Sequence, residues 1–230
     1  MDIWIFGALQ GELDLLLGHL GASYGGQVAS QKWYRARVRG LRVGLGTTGV
    51  GLASAALSLG AFMGISRPSK AVMVGTCGAL PGAGLGVGDL VVASSEVLSE
   101  LGVVTGAGIG DARDMDSLGL RQEVSLSEEL TAPLLEAGGQ VGKTHSGKIL
   151  TVVGSSSSIS RAKARRGRFD ALAENMEGYA LALAGSQLGF QAGEIRCVSN
   201  VAGRRDRSFW ALEQAQQKAQ RAMISYLERL

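Results

Sequence analysis

Short, almost wholly apolar runs that stop at glycine restrict this chain more than any other feature. Ile3-Trp4-Ile5-Phe6 ends at Gly7-Ala8, and Ala71-Val72-Met73-Val74 ends at Gly75-Thr76-Cys77-Gly78. A run of this length without polar alternation suits a strand covered on both faces. Segments of helical spacing lie beside them. Leu13, Leu16, Leu17 and Leu20 recur within residues 9–20, and the small-residue stretch from Val50 to Ile65 reads as a helix packed closely on the sheet. Trp33 to Val38 and Leu41 to Gly46 form a hairpin turned at Arg39-Gly40, and the glycines of 82–88 make a turn before the strand Leu90 to Ala93. Ile149 to Val153 and Glu194 to Ser199 are further strands; Glu177 to Leu188 and Phe209 to Leu230 are helices. Residues 99–125, with acids at Asp111, Asp114 and Asp116, are the least regular stretch and read as a mobile loop. Strands alternating with helices, some joined by short turns, predict an α/β architecture around a mixed sheet.

At 230 residues, with no internal repeat and no linker, the expectation is one domain over residues 1–230. A net charge of +3 and a pI near 9.0 permit an acidic small molecule. Aromatic residues are only 5% of the chain, which argues against a base-stacking platform for nucleic acid. Val43 to Ser66 carries no charge over 24 residues, long enough to span a bilayer. Six of those positions are glycine and Thr47-Thr48-Gly49 interrupts the run, so a strand followed by a buried helix accounts for it better. Cys77 and Cys197 sit in apolar runs without metal-ligand spacing and read as free buried thiols. Met1-Asp2-Ile3-Trp4-Ile5 has no basic leader region, and the expectation is a cytoplasmic protein that binds neither membrane nor nucleic acid.

Three distant segments each sit where a strand meets a helix or loop, the place where α/β proteins collect ligands. They are Ile5 to Glu12, Glu174-Asn175-Met176-Glu177-Gly178 and Arg196-Cys197-Val198-Ser199-Asn200. Together they offer two carboxylates, an amide and a fixed positive charge. That inventory suits cleavage of a bond between a purine and a ribose.

With Thr48-Gly49-Val50-Gly51, Val74 to Ala79 and Val87-Gly88-Asp89, these segments resemble the purine-nucleoside and uridine phosphorylase superfamily over nearly the whole chain, and its hydrolytic branch in particular. Glu174-Asn175-Met176-Glu177-Gly178 and the tail Ser199 to Arg207, with Trp210 beyond it, are similar to the futalosine hydrolases of the alternative menaquinone pathway. The resemblance implies a three-layer α/β/α fold around a mixed sheet, assembly into homodimers or larger oligomers, and no metal or organic cofactor. By the same resemblance Glu12 orients and deprotonates water, and Thr76 and Arg196 hold that water or the neighbouring ribose oxygens. Arg196 is also expected to keep Glu12 ionised. Met176 and Glu177 take the ribose, while Cys77, Gly78, Asn175 and Ser199 share the nucleoside pocket. The competing reading of Glu12 is a capping acid on the first helix turn.

Asn200 departs from the methylthioadenosine/S-adenosylhomocysteine nucleosidases, which carry an aspartate there. An aspartic acid could protonate the leaving purine; an amide can only hydrogen-bond to it. Asp206 is a candidate replacement donor. Hydrolysis is preferred to phosphorolysis because Ala8-Leu9-Gln10-Gly11-Glu12 stands where the phosphorylases carry a Gly-Asp-Pro-x-Arg loop, although Thr76 could still touch phosphate. The basic run Arg161, Lys163, Arg165, Arg166 and Arg168 reads as a solvated helix face. Alternatively, one of these, or Arg204, Arg205 or Arg207, meets a substrate carboxylate.

Overall fold

The computed structural model describes residues 1–105, 108–109 and 119–230; Asp111, Asp114 and Asp116 lie outside them. The strands are β1 (Ile3–Gly7), β2 (Ser23–Val28), β3 (Gln31–Val38), β4 (Leu41–Thr47), β5 (Lys70–Ala79), β6 (Leu90–Leu98), β7 (Val104–Thr105), β8 (Gly108–Ile109), β9 (Glu123–Ser125), β10 (Thr144–Thr151), β11 (Ala173–Asn175) and β12 (Gln191–Val201). The helices are α1 (Asp14–His19), α2 (Leu52–Ile65), α3 (Glu128–Val141), α4 (Ile159–Phe169), α5 (Gly178–Leu188) and α6 (Leu212–Leu227).

The main sheet runs β11-β10-β6-β12-β5-β1-β4-β3-β2, with β9 on β6. It is mixed as expected: β1 is parallel to β4 and β5, and β5 is parallel to β12, whereas β12 runs antiparallel to β6. The far end curls back, because β11 pairs parallel with β10 and antiparallel with the last residues of β5. Glu174 thereby comes opposite Gly78, and two segments nearly a hundred residues apart become neighbours.

Alternation along the buried strands explains the unbroken apolar runs. Ile3 and Ile5 face one core with Val72, Val74 and the helices α1, α3 and α6. Trp4 and Phe6 face the other with Met73 and the helices α2 and α5. The sheet is thus the middle of three layers. Trp4 and Phe6 stack at 5.4 Å and Phe62 of α2 lies 5.1 Å and 5.3 Å from their rings, which pins α2 to the sheet.

The uncharged run from Val43 divides into β4 and α2 as expected, and among the described residues no helix is long and apolar enough to cross a membrane. Arg39 and Gly40, at φ 49° and 88°, make the predicted hairpin turn. Several boundaries moved. Residues 9–20 are not one helix: Gln10–Glu12 is a 3-10 turn, and Leu13 breaks it from α1. The strand placed at Ile149–Val153 begins at Thr144 and ends at Thr151. The last helix starts at Leu212, after a separate 3-10 turn at Arg207–Phe209. The edge strand β2 and the helix α3 had no counterpart in the sequence reading.

Candidate active site

The C-terminal ends of β1, β5 and β12 open onto a cavity of about 520 Å³. Thr76, Cys77 and Gly78 form one wall, Met176, Ser199 and Asn200 another, and Arg205, Arg207 and Trp210 stand at its mouth. Both cysteines are buried and free, as expected. Burial pushes the Cys197 thiol up to about 11.

Glu12 is buried beside this cavity by the 3-10 turn that follows β1. Its Oε2 accepts the amide hydrogens of Ala8 (2.8 Å) and Leu9 (3.3 Å), so the capping reading holds for one oxygen. Its Oε1 crosses to β5, where the Thr76 amide donates at 3.0 Å and the Thr76 hydroxyl lies 3.4 Å away. The carboxylate is thus held from both sides.

Arg196, on β12, is 1% exposed. Among the described residues its ion pairs are with Glu194 and Glu177, while Glu12 stands near it without a direct bond. Its Nε donates to Glu194 Oε1 at 2.5 Å, and its Nη1 reaches Glu177 Oε2 at 3.3 Å and the Thr76 carbonyl at 3.2 Å. Burial works against the guanidinium charge, but Glu194, Glu177 and Glu12 outweigh it and hold Arg196 more basic than usual. The expectation that Arg196 keeps Glu12 at an ordinary or lowered pKa is therefore corrected. Burial raises the Glu12 carboxyl, Arg196 offsets only part of that, and Glu177 pushes it further up. A raised carboxyl suits a group that must receive a proton.

Glu177 lies at the entrance to α5 with one oxygen on Arg196 and the other on the Gly51 amide at 2.9 Å. Gly51 sits at φ 92° and caps α2, so the glycine-rich segment is a turn that aims one amide at the carboxylate. Asn175 lies behind Glu177. Its Oδ1 accepts the Glu177 and Gly178 amides, each at 2.8 Å, so its side chain orders the loop, and the residue also lines the cavity.

A bulge in β12 between Val198 and Asn200 turns Ser199 and Asn200 into the cavity. The Ser199 hydroxyl lies 2.9 Å from Asn200 Oδ1 and 3.2 Å from the Cys77 carbonyl, and Asn200 Nδ2 donates to the Val201 carbonyl at 3.2 Å. One amide hydrogen remains to meet a ligand. Asp206 does not serve as a donor. It is exposed and caps the turn at Arg207–Phe209, and hydrogen bonds from Ser208 hold its carboxyl below the usual range.

Two features escaped the sequence reading. Arg165 belongs to the run taken as solvated, yet it is buried, paired with Glu100 and Glu174 and bonded to the Ser156 hydroxyl at 2.8 Å. Ser156 in turn donates its amide and hydroxyl to Glu174, which fixes the 154–158 segment against the cavity. Glu96 and Glu194 form a buried acidic pair behind Asn175. Their signal was an acid inside a largely buried strand, which burial permits only with partners.

This arrangement defines an α/β domain with a cavity at the C-terminal ends of central strands and two buried carboxylates, Glu12 and Glu177, beside it. The profile of the phosphorylase superfamily matches residues 2–230, and the chain belongs to that family. It is 34% identical over 178 residues to the futalosine hydrolase of Thermus thermophilus, covering 76% of this chain and 77% of that one. Two solved Helicobacter pylori structures share the fold at a TM-score of 0.88. One is native futalosine hydrolase, 20% identical over 99% of this chain and 97% of that one. The other is a methylthioadenosine/S-adenosylhomocysteine nucleosidase variant with 5′-methylthioadenosine in its active site, 19% identical over 100% and 99%. Because the fold fits both activities equally, specificity must be argued from side chains.

The raised Glu12 carboxyl sets a pH dependence. A base works only when deprotonated, so activity should rise with pH through an acid limb above the ordinary glutamate value of about 4.3. A kcat/KM profile of the wild-type protein reads this directly; an acid limb at or below that value would contradict the assignment.

Proposed function

We propose that the chain is a purine nucleosidase that hydrolyses the N-glycosidic bond of futalosine and releases hypoxanthine, as a step in menaquinone biosynthesis. The carrying observation is the 34% identity to the Thermus enzyme, joined to an amide, Asn200, at the position where an aspartate marks the rival nucleosidases. The cationic mouth supports it. Arg205 bonds to Ser155 at 3.2 Å and lies 5.5 Å from the Trp210 ring centre, with Arg207 exposed beside them. Futalosine carries a benzoate that these guanidiniums would meet.

In this reading Glu12 takes a proton from water while the water oxygen bonds to the anomeric carbon. The carbon–nitrogen bond breaks as that bond forms, and its electron pair leaves with the purine. Glu177 accepts the ribose hydroxyls, and its negative charge also favours the oxocarbenium-like sugar; Met176 packs on the sugar face. Thr76 and Arg196 hold the water or the neighbouring ribose oxygens, and Cys77, Gly78 and Ser199 complete the walls. Asn200 hydrogen-bonds the imidazole-ring nitrogen and 6-oxo group of the leaving base, and solvent supplies the proton that completes hypoxanthine. Asn175 serves the same site from behind. A second copy would cover the apolar groove between α2 and α5, lined by Leu52, Leu59, Leu183 and Leu188, to give a homodimer or larger assembly. Sedimentation at the monomer mass would overturn that part.

Base release should occur from futalosine without phosphate, and Glu12→Gln should lower kcat by about 10²–10⁴ while nucleoside binding persists. Release from methylthioadenosine in preference to futalosine, or only with phosphate present, would refute the assignment. Asn200→Asp should shift preference toward 6-amino purines. An unchanged ratio between oxo and amino substrates would remove Asn200 from base reading.

A further inference from the structure

Four buried carboxyl groups, those of Glu12, Glu96, Glu177 and Glu194, surround the buried guanidinium of Arg196. If all four were ionised, the cluster would hold a large uncompensated negative charge in a dry interior, a heavy cost in stability. The hydrogen bonds show where a proton resides. Backbone amides of Glu177 and Gly178 both point at one atom of the Asn175 side chain, and two donors require an oxygen there. The Asn175 amine group is thereby fixed on the opposite side, facing Glu96 Oε1 at 2.6 Å and Glu194 Oε1 at 3.4 Å. All four hydrogen-bonding valences of the amide are used. Glu96 Oε2 accepts from the Thr151 hydroxyl at 2.6 Å, and Thr151 in turn accepts the Tyr179 amide.

Among the described residues two polar atoms of the cluster are left without a partner, Arg196 Nη2 and one carboxyl oxygen. That oxygen is Glu194 Oε2, which is buried and which no N–H or hydroxyl of the described residues reaches. Glu96 Oε1 lies next to it: a Cβ added to Gly178 would collide with both oxygens, so only glycine lets the two carboxyls meet. A proton on Glu96 supplies the missing partner.

We propose that Glu96 is a positioning residue of the ribose site. It carries a proton, donates it to Glu194, and through Asn175 fixes the loop that presents Glu177. Burial, and next the neighbouring Glu194, raise the Glu96 carboxyl well above its ordinary value. The groups facing it are Glu194 and Arg196 from β12, Thr151 from β10, Asn175 from β11 and Cys77 from β5. Arg196 alone among them is cationic, and Glu194 already binds it. Loss of the proton at alkaline pH would set Glu96 against Glu194 and release the Asn175 amine. Glu177 would then lose its fixed amide partner, and ribose affinity would fall.

The role rests on the nucleosidase reading, but its first test does not. At neutral pH the infrared difference between wild type and Glu96→Gln should contain the carbonyl stretch of an un-ionised carboxylic acid, with Glu12→Gln as the control for Glu12. Absence of that band overturns the proposal whether or not futalosine is cleaved. If the band is present but no nucleoside is cleaved, the nucleosidase reading fails and the proton assignment stands. With futalosine as substrate, Glu96→Ala should raise KM about tenfold or more through the unsatisfied Asn175 amine. Glu96→Gln, the neutral isostere, should restore most of that loss and flatten the alkaline limb of kcat/KM. A Glu96→Gln enzyme as impaired as Glu96→Ala, or one with the wild-type alkaline limb, contradicts the role. Should Glu96→Ala fail to fold, the spectrum and the Glu96→Gln profile decide alone.

Discussion

The buried guanidinium of Arg196 is the interaction on which the rest of this site depends. It leaves β12 at the centre of the sheet and binds Glu194 of its own strand, Glu177 at the entrance to α5 and the Thr76 carbonyl of β5. Three separate pieces of chain are thereby held around one charge. The planar fork of arginine allows this, since its donors point in several fixed directions, whereas an ammonium is a single point charge. Such a cation is tolerated in the interior only because carboxylates surround it, and those carboxylates are tolerated only because of it. Removing either side leaves an uncompensated buried charge.

The backbone around this charge is shaped to let side chains meet. The β12 bulge sends Ser199 and Asn200 toward the cavity after a run of residues packed in the two cores. The curl of the sheet brings β11 against β5, so that the Glu174–Gly178 segment adjoins the wall made by Thr76, Cys77 and Gly78. Gly75 is part of the same fit: a Cβ there would strike the Glu12 carboxylate. The shared frame explains why nucleosidases of different specificity superimpose on this chain, and why the argument for futalosine leans on Asn200 and the arginines of the mouth.

Much of this was legible in the sequence, for identifiable reasons. The runs at 3–6 and 71–74 read as strands because both faces of the sheet are covered, and the charge-free stretch from Val43 divided at its own turn residues. The three ligand-bearing segments do converge. What sequence could not give was direction. Arg196 was expected to keep Glu12 ionised, yet in three dimensions Glu194 lies two residues away on the same face and captures the Nε. Arg165 looked solvated among its basic neighbours, and only the meeting of α4 with Glu100 and Glu174 shows it buried. Asn175 was read as part of the nucleoside pocket and does line the cavity, but the bonds of its amide to backbone and acids could not be read from the sequence. Burial and pairing of polar groups depend on contacts between distant segments, and local pattern does not report them.

The account holds that one delocalised, multiply bonded cation organises the site. Replacing it with a cation that cannot form the same set of bonds tests this most directly. Arg196→Lys keeps the charge but cannot bridge Glu194, Glu177 and Thr76 together. Measured on futalosine, kcat/KM should fall about 10²-fold or more while far-ultraviolet circular dichroism shows the fold retained. Turnover close to wild type in a folded Arg196→Lys protein would contradict the account.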